Sequence, residues 1–189
     1  MMEPPSSFHD YQIRILTELK SLTPRQVFAF STWCASRLVD AQELEAYLQE
    51  RDIDLLHKAV EEAWSWVGDR PHPAAKQVAD LRNRVLGVGP HDPVVGIELH
   101  QRVVQTLSCV ELALDYYSTE SIEYARGAAE GMINVIDYEA GDQVELEAMF
   151  QFPPLRAEFE QQIKMINHLR AATLDRMSLQ QLTSFERFF

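Results

Sequence analysis

Apolar positions recur at intervals of three and four along almost the whole chain. That is the period of helices buried on one face. Residues 8–20 open the series. Thr23-Pro24-Arg25-Gln26 then has the form of a helix start: threonine at the N-cap, proline at the first helical position, glutamine placed to reach back. Val27, Phe30, Cys34 and Leu38 follow on one face, and Phe28 and Trp33 flank it, so a wide buried face is predicted. After the short segment DAQELEAYLQER, the run DIDLLHKAVEEAWSWV sets Ile53, Leu56, Val60, Ala63, Trp64 and Val67 at helical spacing and leaves Trp66 off the stripe. Residues 74–86 predict a more polar helix, GVGPHDP a loop, and residues 94–117 a long helix. Ser118 and Thr119 are candidate caps for a helix over about 120–140. PPLRAEFEQQIKMINHLRAA predicts another, opened by proline, and Ser178-Leu179-Gln180-Gln181 a capping box for a short final helix over 178–188.

No segment alternates apolar and polar residues between turn signals, as a half-buried strand would. No repeat of fixed period is present. The fold class expected is all-α: a single-domain antiparallel bundle of about seven helices spanning residues 1–189. A chain of this length can bury roughly 70% of its unfolded surface, and 46% hydrophobic residues exclude a disordered chain.

Charge narrows the function classes. The net charge of −12 repels phosphate backbones, which argues against sequence-independent nucleic-acid binding and suits a basic partner. Cys34 and Cys109 lie in apolar helical patterns with no CxxC or metal spacing, so buried free thiols in a reducing cytoplasm are expected. The N-terminus MMEPPSSFHD has neither a basic nor an apolar signal region. No apolar run approaches the roughly 20 residues of a membrane span.

Catalytic signatures are missing: there is no GxSxG, no P-loop and no catalytic cysteine context. GVGPHD follows no strand and carries no dinucleotide signal. Asp54 and His57 stand three apart on one helix face, but a di-iron bundle needs two such pairs and two further glutamates. No catalytic residue, metal ligand set or cofactor is expected. His100 and Glu111 fall on the stripe of Val103, Leu107, Leu114 and Ser118. An ionised glutamate on a core face needs a partner. Eleven residues separate the two, about 16 Å along a helix axis, so they cannot touch on one helix. If Glu111 is buried, its partner comes from another helix, with Arg126, Arg156 and Arg170 as candidates; the other reading is a structural ion pair or partial exposure at the bundle edge. Glu111, His100 and Asp115 are therefore the binding candidates, and the group an enzymatic or metal-dependent bundle would use.

Gly127 and Gly131 stand four apart in RGAAEGMINVIDYEAG, where each glycine costs roughly 1 kcal/mol against alanine. Ile122, Ala125, Ala129, Met132, Ile133 and Ile136 form one core stripe, and the glycines project to the other side near Tyr124, Asn134, Val135 and Tyr138. The expectation is a second contact face, made either inside the bundle or across a two-fold homodimer axis.

The order RQVFAFSTWCASRL, LLHKAVEEAWSWV, ELHQRVVQTLSCVELALDYYSTESIEYARGAAEGMINVIDYEAG, PLRAEFEQQIKMINHLRAA resembles the YjaG-like family, over about residues 10–172. These are bacterial, all-helical, cytosolic proteins grouped as a domain of unknown function. The resemblance implies the fold and brings no catalytic residues. The function expected is a non-enzymatic protein-interaction protein, in a narrower form an immunity-type or inhibitor protein for a basic partner, with no nucleic acid or membrane involved.

Overall fold

Helix starts fall where side chains satisfy the first unpaired N–H groups. In the computed structural model, which describes residues 3–40, 42–68, 73–88, 101–141, 146–172 and 174, α1 (Phe8–Leu19) begins with the Asp10 N–H donating to Ser7 Oγ at 3.1 Å. At α2 (Pro24–Val39), the Gln26 N–H donates to Thr23 Oγ1 and the Thr23 N–H to Gln26 Oε1, closing the predicted capping box. A 3-10 turn, Gln42–Ala46, leads to α3 (Glu50–Val67) and α4 (Ala75–Leu86). Then come α5 (Gln101–Thr119), α6 (Ile122–Ala140), a 3-10 turn at Leu146–Gln151, and α7 (Pro153–Ala171). The fold is an all-α bundle of seven α-helices, with no strand among the described residues. The short helix predicted over 178–188 lies outside them.

The α5–α6 junction corrects one expectation. Neither Ser118 nor Thr119 caps the first turn of α6: Ser118 Oγ donates back to the Leu114 carbonyl and Thr119 Oγ1 to that of Asp115. Thr119 Oγ1 also accepts from the Ser121 N–H, and Ser121 is the N-cap residue. The chain turns on Glu120, whose φ of 54° is left-handed.

Three helices make the centre. α2 packs on α3, α5, α6 and α7; α5 on α2, α3, α4 and α6; α6 on α1, α2, α5 and α7. α2 is buried nearly all round, from Val27 through Ser36. Where α2, α3 and α5 meet, Ala35, Ala59, Ala63 and Ala113 let the backbones approach closely. Trp33 and Trp64 are the largest fully buried side chains.

The glycines of α6 face α5. A Cβ on Gly131 would collide with Cys109 Sγ and lie 3.1 Å from Leu38 Cδ1; one on Gly127 would stand 3.0 Å from Leu112 Cδ1. The contact made by the glycines is thus inside the chain. α6 buries Ala128, Gly131 and Val135 as well as Ala125, Ala129 and Ile133. Its core face is wider than the single stripe expected, while Met132 and Ile136 are only partly buried. Tyr124 and Asn134 are partly buried, and Tyr138 is exposed.

A polar network crosses the core beside this contact. Arg37 on α2 donates from Nη1 and Nη2 to the two carboxylate oxygens of Glu158 on α7, at 2.7 and 2.8 Å. Glu158 is 3% exposed. Gln162 Nε2 donates to Glu158 Oε1 and to the Ala129 carbonyl, both at 2.9 Å. The Tyr11 hydroxyl lies between the Ala129 carbonyl and Gln162 Oε1, with one proton to give to either. Burial works against the charge on Arg37, but its bonds to Glu158 and the charge of that carboxylate outweigh it and raise its pKa. The guanidinium also lies 4.7 Å from the centre of a Trp33 ring. Both cysteines are free and buried; burial pushes the Cys34 thiol up and Cys109 to about 12, so both remain protonated near neutrality.

Candidate functional site

Glu111 and Asp115 sit four apart on α5, one turn from each other, and face α4. Arg82 of α4 reaches between them. Its Nη2 donates to Glu111 Oε1 at 2.5 Å and to Asp115 Oδ2 at 3.1 Å, and its Nε is 2.5 Å from Asp115 Oδ1. The bond to Asp115 and both carboxylate charges raise the Arg82 pKa.

Of the two readings of Glu111, this is the structural ion pair at the bundle edge, not the buried carboxylate. It is not a core residue: its side chain is 28% exposed. The buried arc of α5 runs through Val103, Thr106, Cys109, Val110, Ala113 and Leu114, and Glu111 lies beyond its edge with Leu107. Nor is the partner Arg126, Arg156 or Arg170. Those pair with Glu123 and Glu130, with Glu160, and with Glu18. His100 lies outside the described residues. Glu111→Ala should therefore cost less than about 1 kcal/mol, because the pair is partly solvated and Asp115 still holds Arg82. Chemical denaturation checks this; a loss of several kcal/mol would place Glu111 in the core after all.

The carboxylate that does need a cation in the core is Glu158. Its signal in the sequence is that Glu158 and Gln162 interrupt the apolar face of α7 formed by Leu155, Phe159, Ile163, Ile166 and Leu169.

A second feature has the shape of a binding site. An open cleft of about 750 Å³ lies where the start of α2 meets the ends of α3, α5 and α7. Phe28, Trp66, Tyr116 and Tyr117 line it, with Thr23, Pro24, Arg25 and Gln26 from the α2 start and Ala172 and Leu174 from beyond α7. The rings pack on one another beneath it: Phe28, Trp66 and Tyr116 are buried and Tyr117 is half-buried. Tyr117 is 4.9 Å from Phe28 at 57° and 5.2 Å from Trp66 at 49°, centre to centre. Phe28 and Tyr116 are nearly parallel at 6.5 Å, and the Tyr116 hydroxyl donates to the Pro24 carbonyl at 3.1 Å. Burial, with the Glu120 carboxylate nearby, takes Tyr116 to about 12.

The helix ends around this cleft set its field. Three of them are C-termini, which carry partial negative charge, and one is an N-terminus. The donors at that N-terminus are largely spent. Pro24 has no N–H, that of Gln26 goes to Thr23 Oγ1, and that of Val27 to the Thr23 carbonyl. Arg25 Nε donates at 2.5 Å to the Val67 carbonyl at the end of α3, where a cation complements the helix dipole. Gln26 Nε2 donates to the Leu169 and Ala172 carbonyls at the end of α7.

Glu120 stands at the rim in two locally unfavourable respects. Its left-handed φ costs a residue with a Cβ about 1 kcal/mol, at a position where glycine is the usual choice. Its negative charge sits at the negative end of α5, against the dipole by a few tenths of a kcal/mol or more. Its side chain is exposed, and no ion pair from the described residues reaches it.

The sequence reading did not find this cleft. Its signals were Trp66, off the apolar stripe of its helix, and the adjacent pair Tyr116-Tyr117, which cannot both point into one core.

No group of three or more His, Cys, Asp or Glu side chains placed to hold a metal ion occurs among the described residues. No described helix is long and apolar enough to cross a membrane. No family model matches the chain, and neither a curated protein nor a solved structure does.

Proposed function

We propose that this chain is a non-enzymatic, YjaG-like interaction protein of the cytoplasm that takes a basic protein partner at the aromatic cleft. The observation that carries the reading is charge: a net charge of −12, with the exposed Glu120 carboxylate at the rim of the cleft. A negative field of this kind selects basic partners and speeds their approach. An immunity-type or inhibitor role toward a basic toxin is the narrower form. The alternative of a metal-dependent or enzymatic bundle built on Glu111 and Asp115 gains no support, because Arg82 already occupies the space between those carboxylates.

The test is capture by the tagged full-length chain from its host. The partner expected is a protein of high isoelectric point, released by about 0.5 M salt, at which surface charges are screened within a few ångströms. Glu120→Lys, a charge reversal at an exposed position, should retain much less of it. An acidic captured partner, or one indifferent to salt and to Glu120→Lys, would refute the reading.

A further inference from the structure

We draw no further inference here: the strongest candidate, the open cleft where the start of α2 meets the ends of α3, α5 and α7, carries none, because its rings pack on one another, the Val67, Leu169 and Ala172 carbonyls beside it already accept from Arg25 and Gln26, and nothing in the structure shows what covers it.

Discussion

Arg37→Met should destabilise the protein by about 3–5 kcal/mol, because it strands the Glu158 carboxylate in the core. Glu158 is 3% exposed and receives both Nη groups of Arg37. With the cation gone, the Gln162 amide is the one donor to it among the described residues. For a chain of this size, the loss corresponds to a fall in melting temperature of between about 6 and 20 °C. The double variant Arg37→Met/Glu158→Met should recover most of it. The desolvation cost of both ions is then removed together, and Gln162 keeps the Ala129 carbonyl as its partner. Arg37→Lys should fall between, since an ammonium cannot bond both carboxylate oxygens in parallel or stack on Trp33 as a guanidinium does. Denaturant unfolding of the three variants checks the pattern. A double variant as unstable as the single one would show that the loss comes from packing.

The second large effect lies at Gly131. Gly131→Leu should cost about 3 kcal/mol or more, because the side chain must displace Cys109 and Leu38 from a filled helix contact. Gly131→Ala is the more informative variant. Alanine gains about 1 kcal/mol of helix propensity but sets its Cβ on Cys109 Sγ, so a net loss is expected. In a Cys109→Ala background the obstacle is gone, and the same Gly131→Ala change should become neutral or stabilising. The two sites should therefore couple by about 1–2 kcal/mol in a double-mutant cycle. Gly127→Leu should cost less, because Gly127 is only partly buried and meets the outer end of the Leu112 side chain. Additive effects of Cys109→Ala and Gly131→Ala would contradict the close α5–α6 approach.

Local rules made the helices legible. Thr23 and Gln26 announce α2 because the capping box is contained in four consecutive residues. Period locates α3, and period with an opening proline locates α7. What depends on a second helix was harder to read. Glu111 lay only one step round the helix from truly buried positions, and a stripe drawn through Val103 and Leu107 swept it inward. Its actual partner, Arg82, stands 29 residues away on a polar helix that shows no sign of it. Glu158 was visible as a polar intruder on an apolar face, but the cation that explains it is 121 residues distant. The cleft combines both difficulties. Its walls come from α2, α3 and α5, and each ring taken singly looks like core. Glu120 is conspicuous only through its backbone angle, which no propensity in the sequence reveals.

The proposed preference for basic partners can be tested at one residue. Glu120 is exposed at the rim of the cleft. In a nitrogen–proton correlation spectrum of the chain, an added peptide rich in arginine and lysine should move the Glu120 amide signal in a saturable way that about 0.5 M salt reverses. A peptide of the same length rich in aspartate and glutamate should leave it in place. A Glu120 signal that stays fixed, or that responds equally to both peptides, would contradict the account.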